Sequence, residues 1–235
     1  MRAWPAAQQL LFDGWVARLS DGYTKRANSA LLLYPQAESA SDETLARIER
    51  LYQSQGLPVI FRLLSFTTPA DLDFRLEAEG YLPADPTLVM SAAIDSDTIE
   101  PERSVQELDL EIGIDAHARM NALPVEILPG HRAILERIPG GLGFFGLYEQ
   151  DDLVACGLSV VDGQLVGLFD IVTDPAHRRK GFAARLVRGM LANANEQGAT
   201  GGYLQVISKN APAVALYESL GFAESYRYGY RILDR

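Results

Sequence analysis

The stretch LVGLFDIVTDPAHRRKGFAARL, residues 165–186, decides the fold. Leu165 to Thr173 form an apolar, β-branched and aromatic run that reads as a strand. Asp174-Pro175 breaks the run, and Arg178, Arg179 and Lys180 follow side by side before Gly181. Beyond the glycine, Phe182, Leu186, Met190 and Ala194, with Ala183, Val187 and Leu191 beside them, recur at helical spacing. Gly198 supplies a left-handed stop, and GYLQVIS (202–208) is a further strand. A strand joined to another through a helix implies a right-handed parallel crossover. The helix start carries unpaired N–H groups and a partial positive charge. Gly181 permits close backbone approach, Ala183 and Ala184 leave room, and the three cations add fixed charge. The segment therefore reads as an anion socket rather than a solvated basic turn.

Upstream, GFFGLYE (143–149) and LVACGLSVV (153–161) are strands separated from each other and from Leu165 by tight turns. Downstream, NAPAVALYESLGF (210–222) is a short helix with Asn210 as N-cap and Gly221 at its end, and RYGYRIL closes the chain as a strand. The first half repeats this plan. GWVARL (14–19) and YTKRANSALLL (23–33) flank a turn, a helix covers about 42–54, VIFRLLS (59–65) is a strand, and a second helix lies within 68–81 before TLVMSAA. Gly56 and Gly80 are 24 residues apart and Gly198 and Gly221 are 23 apart, an offset of 141 to 142 between halves. The expectation is an α/β chain of tandem domains, 1–95 and 105–235, each a mostly antiparallel mixed sheet with one parallel βαβ crossover and flanking helices. Residues 96–104 form a polar, acidic linker.

The chain has 235 residues and a formal charge of 21 − 31 = −10. That balance argues against a general nucleic-acid binder. The single cysteine, Cys156, precludes an intrachain disulfide and suits a reducing compartment. No apolar run approaches the length of a membrane span, so the expectation is a cytoplasmic monomer or homodimer with no membrane or nucleic-acid partner.

VTDPAHRRKGFAARL resembles the acyl-CoA loop of the GNAT superfamily of N-acetyltransferases, with Arg178, Gly181 and Ala183 at the motif positions and Pro175 upstream. NAPAVALYESLGF is similar to a later motif of the same family, and the resemblance covers about residues 105–235. It implies that backbone groups of Ile171, Val172 and Thr173 pair with the pantetheine arm. It also implies that Arg178, Arg179, Lys180, Gly181, Phe182, Ala183 and Ala184 hold the pyrophosphate of acetyl-CoA. The activity implied is acetyl transfer to a small-molecule or peptide amine by direct attack in a ternary complex. A non-catalytic acyl-CoA sensor, or an acyltransferase with another donor or acceptor, is the alternative.

Tyr217 matches the family tyrosine that faces the thioester sulfur, which makes it the general-acid candidate. Asn210 either hydrogen-bonds the cofactor arm, caps its helix, or does both. Asp170 alternates with Val166, Leu168 and Val172, so it shares an apolar face. It is read as a base, or as one partner of a structural pair with an arginine. Glu126 is a weaker candidate base. His117, His131 and His177 lack metal-ligand spacing, so no metal is expected. Cys156 reads as a buried thiol, and Trp4 and Trp15 as packing residues. In the first half Leu76 stands where Tyr217 stands in the second. The loop equivalent to the basic run carries Glu38, Asp42 and Glu43 instead, so one acetyl-CoA site per chain is expected.

Overall fold

The computed structural model describes residues 2–36, 39–94 and 102–233. Glu38 and residues 95–101, which include residues 96–101 of the expected linker, lie outside them. The chain divides into two compact units. The first comprises Trp4–Val89, Ile207–Asn210 and the residues from Ser225 onward; the second is built on Met90–Val206 and Ala211–Glu224.

In the first unit, β1 (Gln8–Phe12) and β2 (Trp15–Leu19) form an antiparallel hairpin, and β3 (Ala30–Leu32) pairs antiparallel with β2. Helix α1 (Asp42–Ser54) then carries the chain to β4 (Val59–Leu64), which runs parallel to β3. Leu45, Ile48 and Tyr52 of α1 and Leu72 and Leu76 of α2 (Leu72–Ala78) bury one apolar stripe on Trp15, Ala17, Leu32 and Phe61. Alternate residues of the same strands, Val16, Leu31 and Ile60, pack on the other face with Tyr228 and Tyr230. Losing one of the large members, such as Phe61, costs about 3–5 kcal/mol. Strand β5 (Leu82–Ala93) begins in this unit.

The second unit holds β6 (Val105–Leu108), α3 (Leu110–Asn121), α4 (Leu128–Leu135), β7 (Leu142–Glu149), β8 (Asp152–Asp162) and β9 (Leu165–Thr173). Strands β6 to β9 form an antiparallel meander. Helix α5 (Phe182–Glu196) crosses from β9 to β10 (Gly201–Ile207), and the two strands are parallel. Helix α6 (Ala211–Ser219) and the start of β11 (Ala223–Leu233) follow. The four helices that end at Gly56, Gly80, Gly198 and Gly221 all stop on a left-handed glycine.

Three sequence expectations differ from the structure. Residues 23–33 are not one strand, because a 3-10 turn at Lys25–Ala27 interrupts the span and only Ala30–Leu32 joins the sheet. Asn28 organises that turn, its side chain bonding Ser20, Gly22, Tyr23 and Thr24 backbone groups. The closing strand pairs antiparallel with β4, Tyr228 opposite Leu64 and Leu233 opposite Val59, so it completes the first unit's sheet. Finally, β9 does not keep strict alternation. Cys156 faces Val172 but Leu158 faces Phe169, so one extra residue of β9 sits opposite Gly157. Asp170 lies at that bulge with φ +51, and Val172 consequently shares a face with Phe169 rather than with Leu168.

Candidate active site

Two features of β9 and α5 build the candidate site. The register of β9 with β10 runs from Leu165–Gly201 to Leu168–Leu204 and stops, although β9 continues to Thr173. On its other side β9 stays paired, with Val172 opposite Cys156 and Thr173 opposite Ala155. Ile171, Val172 and Thr173 therefore turn toward β10 an edge without a registered partner strand, suited to an amide-bearing ligand.

The turn after β9 is stiffened from within. Asp174 accepts a hydrogen bond from the Ala176 N–H at 2.9 Å, and Arg178 Nε donates to the Thr173 carbonyl at 3.4 Å. Arg178, Arg179, Lys180 and Gly181 are all exposed. Arg179 and Gly181 both take left-handed backbone conformations, φ +67 and +83. Gly181 occupies the cap position of α5, where no side chain satisfies the first turn and no acid lies within it. A Cβ on Gly181 would meet nothing within 4 Å, so the space above the turn is open. Phe182 is buried and anchors the helix, while Ala183 and Ala184 are half-buried.

The corresponding crossover of the first unit has the opposite chemistry. Ser41 caps α1, its hydroxyl accepting from the Thr44 N–H at 3.2 Å, and Asp42 and Glu43 fill the first turn. That N-terminus is already satisfied and negatively charged. Leu76, the counterpart of Tyr217, is fully buried in the apolar core.

Asp170 has partners that the sequence did not reveal. His131 of α4, wholly buried, places Nε2 2.8 Å from Asp170 Oδ2. His117 of α3 places Nε2 4.0 Å from Oδ1, and the two imidazole centroids are 5.5 Å apart. Asp170 itself retains 17% side-chain exposure. Burial holds His117 below the ordinary imidazole range, with Asp170 pulling upward and His131 downward. The left-handed conformation at the bulge aims Asp170 out of the ladder; an L-residue adopts it only at a cost of about 1–2 kcal/mol. Asp170 thus bonds one buried histidine and faces a second, where the sequence offered a base role or a structural pair with an arginine. Nothing in the sequence spacing brings together positions 117, 131 and 170, since they lie on three separate elements.

Tyr217 lies on α6, 8% exposed, with its ring edge-on to Phe222. Burial pushes its phenol up to about 12. Asn210 belongs to the first unit, where its N–H donates to the Ile207 carbonyl at 2.9 Å. Glu126 is exposed on a 3-10 turn. Cys156 is fully buried against Met120, and burial pushes its thiol up to about 12, which leaves it unreactive. Trp15 lies in the first unit's core, and buried Trp4 donates from Nε1 to Thr24.

Residues 1–231 match the family described as "Probable histone acetyltransferase Rv0428c C-terminal". The chain belongs to this family of the GNAT superfamily. It is 34% identical to the "Uncharacterized N-acetyltransferase YobR" of Bacillus subtilis, over 98% of this chain and 94% of that one. A shorter similarity, 33% over 34% of this chain and 55% of the relative, links it to the "[Ribosomal protein bS18]-alanine N-acetyltransferase" of Escherichia coli K12. Among solved structures, a "GCN5-related N-acetyltransferase from Kribbella flavida" superposes with a TM-score of 0.72 at 16% identity, covering 97% of this chain and 89% of its own. That last likeness concerns the fold. As a GNAT enzyme the chain is an acetyltransferase, and among the described residues no helix is long and apolar enough to cross a membrane.

Proposed function

We propose that the chain transfers an acetyl group from acetyl-CoA to a primary amine, on a small molecule or a peptide, by direct attack within a ternary complex. The observation that carries this reading is the exposed run Arg178–Gly181 leading into an uncapped, acid-free helix start beside the unregistered edge of β9. Anion-binding geometry and an amide-pairing edge lie next to each other, which matches a ligand with a pyrophosphate at one end and a pantetheine arm at the other. Amides of Arg179 to Ala184 would hold the pyrophosphate, side chains of Arg178, Arg179 and Lys180 would neutralise it, and Ile171 to Thr173 would pair with the arm. Bound there, acetyl-CoA supplies an activated acyl carbon.

The chain's own residues divide the remaining work. A lysine-like amine needs ~4–5 kcal/mol to lose its proton at pH 7, so a base beside the acceptor is useful. Asp170, partly exposed at the bulge, is proposed for that role. Tyr217 stays protonated at neutral pH, since burial lifts it to about 12. Full proton transfer from such a phenol to a thiolate whose conjugate acid has a pKa near ~8.5 is uphill by roughly 5 kcal/mol. Tyr217 is therefore proposed as a hydrogen-bond donor to the departing sulfur rather than a complete acid. The first unit, with its capped α1 and Leu76, contributes no second acetyl-CoA site.

The acceptor class is tested by an acetyl-CoA-dependent thiol-release screen over amino acids, polyamines, aminoglycosides and peptides with free N-termini. Turnover with at least one amine supports the reading. Binding of acetyl-CoA without turnover on any of them favours the sensor instead.

A further inference from the structure

Asp170, His131 and His117 converge from β9, α4 and α3, and their exposures differ in a telling order. His131 is fully buried, whereas His117 and Asp170 keep 11% and 17% of their side chains exposed. The His131 Nε2 and Asp170 Oδ2 atoms are hydrogen-bonded at 2.8 Å, and when Asp170 is ionised, as a base must be, the proton of that bond sits on His131 Nε2. We infer that His131 is a positioning residue whose Nε2–H fixes the orientation of Asp170 and holds its carboxylate ionised, with His117 as the neighbouring neutral imidazole. This rests on Asp170 as the base of the proposed reaction. In that reaction the acceptor nitrogen forms a bond to the acetyl carbon as the C–S bond breaks. The sulfur leaves with the electron pair, and the proton lost from nitrogen ends on Asp170 before passing to solvent.

A hydrogen bond to the charged form of a carboxylate favours that form, so His131 keeps Asp170 ready as a base on a largely apolar strand. Without the donor, burial would raise the carboxyl and leave a larger fraction protonated. Other titratable groups on elements packed against β9 include Cys156 on β8, Arg119 on α3, Tyr203 on β10, edge-on to Phe169, and Arg185 on α5. Arg185 is held by Glu102 and Glu149, so it stands apart from this cluster.

The same three side chains could in principle ligate a metal, since their donor atoms lie within 4.8 Å of one another. Metal bound at Nε2 leaves the proton on Nδ1, and ligating histidines normally donate that proton to a second partner. His117 Nδ1 is buried with no hydrogen-bond partner among the described residues. The hydrogen-bonded arrangement, with the imidazole protons on Nε2, avoids that requirement.

The test is a carboxyl 13C NMR titration of Asp170 in protein labelled at aspartate, which needs no acceptor. His131→Leu should raise the Asp170 midpoint by about one pH unit or more. His131→Gln, whose amide nitrogen reaches the place of Nε2, should restore it, while the shorter His131→Asn should not. Should the leucine variant fail to fold, the glutamine and asparagine variants decide the matter between them. Equal midpoints in wild type and both amide variants overturn the inference, as do d–d absorption bands on adding Co2+ to wild type that vanish in His131→Gln. Asp170→Asn in the thiol-release assay addresses the base role separately. Full activity there removes Asp170 as base, whereas lost activity with unmoved midpoints removes only the role of His131.

Discussion

Two glycines on the same helix allow the proposed socket to be separated from ordinary backbone strain. Gly181 precedes α5 with φ +83 and Gly198 follows it with φ +93; a Cβ would meet nothing within 4 Å at either position. Alanine at each site costs only the left-handed penalty, about 1 kcal/mol. For a chain of this size that lowers Tm by roughly 2–4 °C. Both variants should show this same loss by differential scanning fluorimetry. Their ligand behaviour should diverge. At Gly181 the methyl group stands in the open space where pyrophosphate oxygens are proposed to approach the amides, and losing one such charge-assisted bond, worth about 1.5–3 kcal/mol, should weaken acetyl-CoA binding roughly 10- to 150-fold. At Gly198, about twenty-five ångströms along the helix by its rise, affinity should stay within twofold. Isothermal titration calorimetry with acetyl-CoA reads the difference. Equal affinities in the two variants would refute the reasoning, because shared strain would then explain everything that Gly181 does.

Further outcomes follow from the same geometry. Replacing Arg178, Arg179 and Lys180 together by alanine should weaken acetyl-CoA binding and flatten its salt dependence, measured by titration at low and high ionic strength. Tyr217→Phe should cut turnover far more than affinity in steady-state kinetics, and unchanged turnover would remove its hydrogen bond from the mechanism. The Tyr217 phenol is raised from about 10 unfolded to about 12 folded, so its stabilising share is complete below pH 10 and is lost as pH climbs toward 12. Urea midpoints for Tyr217→Phe should therefore fall less between pH 9 and 12 than those of wild type. Cys156 should resist iodoacetamide at pH 8 in the folded protein and react on unfolding, since burial holds its thiol at about 12.

The crossover around α5 was readable because three independent signals coincide there: a β-branched run, a Pro–Gly bracketed basic turn and a helical apolar stripe. The glycines at 56, 80, 198 and 221 likewise marked the ends of four helices. The pairing of β11 with β4 was not readable, since strand partners depend on long-range packing that a local pattern does not encode. The bulge at Asp170 was hidden for a related reason. An extra residue changes which face a side chain takes without changing composition, so alternation assigned Val172 to the wrong side. His117 and His131 carry no spacing signal, because local motifs place their ligands on one element or one turn. Here the helices α3 and α4 bring the rings to Asp170 from different directions.

The central claim is that one acetyl-CoA socket exists per chain and that the turn at Gly181 forms it. Calorimetric stoichiometry tests this most directly, comparing wild type with Gly181→Glu, whose carboxylate would sit against the pyrophosphate. The account predicts one site per chain in wild type and none in the variant, with the variant otherwise folded. Two equivalent sites in wild type, or an undiminished site in Gly181→Glu, would contradict it.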